Sequence, residues 1–209
     1  MSEPAQGALS GGPYLFYGDL NCPFCHAQNE RLLELGAERK VEWRGVRHMP
    51  HLPIPAKNTT PEREELQREV LSVRQREPAV SISTPPARPN TERATLLVAA
   101  ARRHDPGRAE GLKTLLYRAL WVHARDISDS CVLDELRRVA GLPELIVGEA
   151  DKKTLESWQK EWEQGPFERR IPVIVSPRGA RLLGMGERGR VEVFLRSGLL
   201  NADGAGHCD

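Results

Sequence analysis

The sequence predicts an α/β protein in which strand-forming segments at the two ends of the chain enclose a long helical stretch. Three observations predict it. Short β-prone apolar runs occur near Tyr14, Val41 and Ile171, a 3.6-residue apolar period runs through most of residues 56–165, and Pro or Gly clusters separate the segments. At 209 residues the chain is about one and a half typical domains long. Its 39% hydrophobic content is enough for a core without disulfide staples.

Residues 13–18, Pro-Tyr-Leu-Phe-Tyr-Gly, are a β-prone run that ends at a glycine. Residues 27–40 follow as a helix with Leu32, Leu33 and Leu35 inward, and 41–46 as a second strand with Val41 and Trp43 on one face. Strand, Cys-x-x-Cys, helix and strand together open a βαβ unit. After a Pro-rich loop at 48–60, residues 61–76 read as a helix with Pro61 in its first turn and Leu66, Val70 and Val73 as its stripe. Residues 77–89 carry Pro78, Pro85, Pro86 and Pro89 and break the helical pattern. Asn90 or Thr91 then caps a helix over 92–103.

Leu112, Leu115, Leu116, Ala119, Leu120 and His123 mark one face of a helix over 108–125, which makes His123 a core histidine. Shorter helices are expected at 131–140, closed by Gly141, and at 151–164. Cys131 reads as a buried small hydrophobe, and Trp158 and Trp162 as a seal between helices and core. Strand character returns at 171–175, and a turn at 176–179 leads to a hairpin partner at 180–183. The last helix, 187–199, has Val191, Phe194, Leu195 and Leu199 on one side, and the tail from Asn201 is expected to fray. Gly184-Met185-Gly186-Glu187-Arg188-Gly189 matches a dinucleotide fingerprint, but no strand with an acidic residue follows, so a turn is the better reading.

Charge narrows the partners. Thirty Lys and Arg against 29 Asp and Glu leave +1, with no excess to neutralise a phosphate backbone, so nucleic acid is not expected. The longest apolar run, residues 96–101, is far short of the ~18 residues of a membrane span. The first residues carry neither a basic start nor an apolar stretch, and a cytoplasmic protein, monomer or homodimer, is the expectation.

The four cysteines are too few for a disulfide scaffold, yet Cys22 and Cys25 are separated by only two residues. Where a strand gives way to a helix, unpaired N–H groups and the helix dipole stabilise a thiolate at Cys22. Pro23 suits the first helical position, and Cys25, one turn in, reaches back to Cys22. An accessible thiolate with a resolving neighbour is the apparatus of thiol–disulfide exchange. Three other readings compete. Cys22-Pro23-Phe24-Cys25-His26 fits the pattern of covalent haem attachment, and Cys22, Cys25 and one of His48, His51 or His207 could hold zinc. The third is a pair of thiols buried without a role. No metal is assigned. His26 reads either as a candidate proton relay or as a surface histidine. Arg44 and Arg47 could meet a carboxylate of glutathione but read more simply as solvated charge. Cys208, beside His207, is a candidate for adventitious dimerisation.

Residues 19–25, Asp-Leu-Asn-Cys-Pro-Phe-Cys, resemble the active-site start of the DsbA-like thioredoxin superfamily, especially its cytoplasmic FrnE-type members. Pro86 to Thr91 is similar to that family's Pro-rich lead-in to its helical domain. The blocks around Asp126-Ile127-Ser128-Asp129, Val132-Leu133 and Ile171-Pro172-Val173-Ile174-Val175 extend the resemblance over residues 14–200. It implies a thioredoxin fold interrupted by a large helical insertion. The thioredoxin-like part is then 13–50 plus 166–200, the insertion 56–165, and 1–12 and 201–209 are termini. It implies that Pro172 is cis and packed opposite the cysteines, with the Ile171 backbone offered to a bound substrate. Pro23 and Phe24 then contribute to substrate binding. The implied activity is disulfide exchange with a protein or small thiol substrate, Cys22 attacking and Cys25 resolving, with no cofactor required and glutathione a candidate co-substrate. The alternative is a glutathione-dependent transferase or isomerase, of the kappa-class or 2-hydroxychromene-2-carboxylate isomerase type. Those enzymes resemble this chain but place Ser where Cys22 stands. Here Phe24 replaces the His or Trp usual between the family's cysteines, and it offers Cys22 neither charge nor hydrogen bond.

Overall fold

The apolar runs at the two ends of the chain pair with one another. The computed structural model describes residues 12–198. β1 (Tyr14–Gly18), α1 (Pro23–Glu34) and β2 (Val41–Gly45) come first. The helices α2 (Thr60–Arg76), α3 (Glu92–His104), α4 (Pro106–Trp121), α5 (Ser130–Val139) and α6 (Glu149–Gln164) follow. β3 (Val173–Val175), β4 (Arg181–Leu183) and α7 (Arg188–Ser197) close the described chain. The four strands form one sheet in the order β2-β1-β3-β4. β1 runs parallel to β2, from Tyr14 opposite Val41 to Gly18 opposite Gly45. β3 runs antiparallel to β1 and to β4. A βαβ half and a ββα half joined through β1 and β3 are the thioredoxin fold, and α2–α6 are inserted between them.

Pro23 occupies the first turn of α1, where its missing N–H leaves nothing unpaired, and Cys22 is the extended residue before it (φ −102°, ψ 118°). The helix therefore begins before the expected 27 and ends at Glu34, because Gly36 turns left-handed (φ 60°) and a separate 3₁₀ turn occupies Glu38–Lys40. Of the three leucines expected inward only Leu32 is buried. The helix also buries Pro23, Cys25 and Ala27, and with them four polar side chains: His26, Gln28, Asn29 and Arg31.

α2 carries its expected stripe, with Leu66, Val70 and Val73 buried, and Thr59 and Glu62 form a capping box at its start. Asn90 Oδ1 accepts the Glu92 N–H at 3.0 Å before α3, while the Thr91 hydroxyl turns elsewhere. Asp105 caps α4 through the Arg108 N–H at 3.0 Å. Because α4 stops at Trp121, His123 lies beyond its end and is exposed, which corrects its reading as a core histidine. Cys131 is corrected likewise. It sits exposed in the first turn of α5, its N–H donated to the Asp129 carboxylate at 2.8 Å.

Trp158 and Trp162 do face inward. Trp158 meets Trp43 edge-on at 6.3 Å, and Trp162 packs with Tyr17, Val46, Phe167 and Val173. Residues 184–187 link β4 to α7, with Gly184 and Gly186 left-handed, and Arg188 and Gly189 open the helix. The strand expected at 171–175 begins only at Val173, since Ile171 and the cis Pro172 precede the ladder. Leu199, the tail, His207 and Cys208 lie outside the described residues. No helix among those described is long and apolar enough to cross a membrane.

Candidate active site

β1 ends at Gly18, and the chain must turn within four residues, 19–22, to start α1 at Pro23. That turn is held from the inserted segment, by α4 and by the stretch before α3. Tyr117 donates its hydroxyl to the Asp19 carbonyl at 3.3 Å, Trp121 its Nε1–H to the Leu20 carbonyl at 2.9 Å, and Arg88 its Nη1 to the Asn21 carbonyl at 2.5 Å. Three successive carbonyls before Cys22 are thus fixed by side chains distant in sequence. Asn21 answers by donating Nδ2 to the Pro89 carbonyl at 3.1 Å, and Glu69 holds the other Arg88 nitrogen at 2.6 Å. Gly18 leaves little room here, and a side chain would make its neighbours give by a few tenths of an ångström. A Cβ would stand 3.1 Å from the Tyr117 oxygen and 3.3 Å from Cys25 Sγ.

The Asp19 carboxyl is wholly buried and accepts from the Thr91 hydroxyl at 2.6 Å, the His48 N–H at 2.8 Å and the Asn21 N–H at 3.2 Å. Burial nevertheless outweighs these bonds and pushes its pKa up.

Cys22 is 7% exposed and Cys25 is fully covered, both as free thiols. Both N–H groups of Cys25 and His26 point at the Cys22 carbonyl, each at 3.1 Å, and so close the first turn. Burial drives the Cys25 thiol well above its ordinary range, and the hydrogen bond it gives to Cys22 and the nearby Cys22 and Asp19 charges push the same way. The Asp19 backbone N–H, pointing at the Cys25 sulfur, opposes this in part. Tyr117, also fully buried and sensing Cys25, is raised too, chiefly by burial. The result is a thiol that keeps its proton until something nearby removes it.

The other anticipated residues converge unevenly. Pro23 is buried at the helix start, and Phe24, half-buried, packs against the main core with the Arg76 guanidinium over its ring at 6.0 Å. The register Tyr17 opposite Val173, continued one step, sets Pro172 beside Gly18 at the same end of the sheet. The Ile171–Pro172 bond is cis, as the resemblance implies, and the Pro172 carbonyl accepts the Gly184 N–H at 2.8 Å. His26 is not on the surface. It is completely buried, its Nε2 bonded to the Ser81 carbonyl at 3.0 Å and its Nδ1 4.0 Å from Glu30. Burial lowers its pKa below 6.5. Arg44 pairs with Glu161 and Glu42, and Arg47 with Glu92, so both guanidinium groups are engaged in ion pairs. Among the described residues no three His, Cys, Asp or Glu side chains cluster as metal ligands. Asp19, Arg88, Tyr117 and Trp121 were not singled out from the sequence. An acidic residue at the end of an apolar strand, three before Cys22, was the one local signal for Asp19.

The DSBA-like thioredoxin domain family matches residues 15–164, and the chain belongs to it. No curated protein matches the chain. Among solved structures it resembles a Nitrosomonas europaea protein classed as a protein disulfide isomerase, at 17% identity and TM-score 0.69, over 90% of this chain and 98% of that one. It resembles a cytosolic disulfide reductase, DsbM, from Pseudomonas aeruginosa with glutathione, at 19% identity and TM-score 0.57, over 88% and 99% of the two chains. A 2-hydroxychromene-2-carboxylate isomerase matches at 13% identity and TM-score 0.61, over 88% and 93%. At such identities these likenesses show a shared fold.

Proposed function

We propose that this protein is a thiol–disulfide oxidoreductase in which Cys22 attacks and Cys25 resolves. The observation that carries the reading is Cys22 at the head of α1, barely accessible, with the covered Cys25 thiol hydrogen-bonded to it. In the first step the Cys22 thiolate attacks a substrate disulfide R–S–S–R. A Cys22–S–S–R bond forms, and R–S⁻ leaves and takes a proton from water. In the second, Cys25 loses its proton and attacks the Cys22 sulfur, forming Cys22–Cys25 and releasing the second R–S⁻. The substrate gains two electrons and the dithiol loses them; the reverse sequence oxidises a dithiol. Asp19 is the acceptor for the Cys25 proton: its buried carboxylate is close enough for its charge to act on that thiol, and its raised pKa suits it to take a proton and return it. His26 has Nε2 committed to Ser81 and only Nδ1 free, so the relay is assigned to Asp19. The Ile171 backbone, before cis Pro172, is the platform for the substrate chain.

Intact-mass analysis of the protein after equilibration in a glutathione redox series and alkylation tests this. An internal disulfide should form and break as one two-electron couple, Cys22→Ser should abolish exchange, and Cys25→Ser should accumulate a mixed disulfide. Activity that survives Cys22→Ser would sink the assignment. Conjugation or isomerisation that needs glutathione but survives Cys25→Ser would put the transferase or isomerase reading in its place.

A further inference from the structure

Phe24 stands between the two cysteines and has one face against the core. Over its ring, 6.0 Å from the centroid, lies the guanidinium of Arg76, the last residue of α2. A planar cation on an aromatic face is held in place while its outer N–H groups stay available. Glu77, the next residue, and several acidic side chains of α1 and α2 make their ion pairs with other cations. Glu77 pairs with Arg31 and Arg188, Glu30 with Arg118 at 2.7 Å, Glu34 with Arg188 at 2.7 Å, and Glu69 with Arg88 at 2.6 Å. Arg74, two residues earlier, gives Nε and Nη2 to the Ile82 carbonyl. Arg76 is exposed and forms no ion pair among the described residues. Its field reaches inward. Arg31 is held at about 10 by burial first and then by the neighbouring Arg188 and Arg76 charges. Phe24 follows Cys22 by two residues, so the cation on its ring is the unpaired charge carried nearest in the chain to the attacking thiol.

We propose that Arg76 is a specificity-determining residue, presenting its guanidinium from the Phe24 ring to a carboxylate flanking the disulfide that Cys22 attacks. The inference rests on the exchange reading above and names the substrate class, disulfides with a carboxylate a few bonds from sulfur. Two sources share that chemistry, glutathione disulfide and an acidic peptide disulfide. Arg76 does not take part in the bond changes; it orients the group that Cys22 attacks and sets which disulfides compete best.

The experiment is single-turnover reaction of the reduced protein with five probes: glutathione disulfide, bis(2-hydroxyethyl) disulfide, cystamine, and a matched pair of acidic and neutral peptide disulfides. In Arg76→Gln the ratio of the rate constant for a carboxylate-bearing probe to that for the neutral one should fall about fivefold, the size of a partly exposed charge pair. Arg76→Lys should restore part of it, and Arg76→Glu should turn the preference toward cationic cystamine. Added salt should shrink the wild-type ratio but not that of Arg76→Gln. A drop confined to glutathione disulfide identifies the small source, and a drop confined to the acidic peptide the other. Either supports the assignment. An unchanged ratio, with Arg76→Gln altering only the melting temperature, would reduce Arg76 to a helix-end cation and overturn it. A wild-type protein that reacts with none of the disulfides would remove the exchange reading and this inference with it, whereas reaction with all of them at an Arg76-independent ratio removes this inference alone.

Discussion

The two ends of β1 are built differently. At its start Tyr14 stacks edge-on against Phe194 at 5.8 Å and gives its hydroxyl to the carbonyls of Phe194 and Leu195, at 3.1 and 3.2 Å. That end is apolar packing plus one phenol closing the last turn of α7. At the other end the sheet buries Asp19, Asn21, His26 and two thiols, and another phenol, that of Tyr117, is donated to the loop. Burying so many polar groups costs free energy unless each finds a partner. At this end the partners come from α4, from the loops around Ser81 and Pro89, from Thr91 and from the His48 backbone. His26 Nδ1, Gln28 Nε2 and Asn29 Nδ2 remain without one. The contrast separates a region that closes the fold from a region arranged for chemistry.

The sharpest way to test that contrast is Asp19→Asn. Removing the proton acceptor should slow resolution of the Cys22 mixed disulfide ~100-fold while the first attack survives, so quenched samples should hold a mixed-disulfide mass. A faster resolution would mean that Asp19 acts only as a negative charge on Cys25, the opposite sign. Next in size, Tyr117→Phe leaves Trp43 Nε1 and the Asp19 carbonyl short of a partner, each now at 3.3 Å from the hydroxyl. It should cost about 1–3 kcal/mol in urea unfolding and slow exchange as well. Tyr14→Phe, at the plain end, should cost about 1 kcal/mol and leave exchange rates unchanged. Equal effects on exchange would erase the difference between the ends.

The smallest effect concerns pH. Because burial lowers the His26 pKa from 6.5, the unfolded chain takes up a proton below that pH which the folded one does not. Stability should therefore fall as pH drops below 6.5 and level off once the folded imidazole also protonates. Glu30 and Arg118 are the charged groups that face it, the first raising and the second lowering the pKa. His26→Asn should flatten that part of a urea-unfolding series from pH 8 to 5, and a profile unchanged by the substitution would assign the slope to other groups.

Much of this was legible along the chain. The apolar periods around Leu66, Val70 and Val73 and around Leu112, Leu116 and Leu120 placed helices correctly, because a helix face repeats within a few residues. Cys22 and Cys25 could be paired on paper because positions three apart lie one helical turn from each other. His123 and Cys131 were misjudged for a different reason. Whether a residue faces the core depends on where its helix stops and what packs against it, and α4 ends two residues short of His123.

What the sequence determined by itself is therefore the local part: strand, turn, Cys22-Pro23-Phe24-Cys25, helix, and the long helical stretch before the second pair of strands. Tertiary structure alone decided what surrounds the thiols. Asp19 meets Thr91 across 72 residues, Asn21 meets Arg88 across 67, and Tyr117 reaches the Asp19 carbonyl across 98. Such pairings carry no period and no spacing, since hydrogen-bond partners need only arrive at the same point in space. Burial follows from the same assembly, and it is burial that raises the Asp19 and Cys25 pKa values and lowers that of His26.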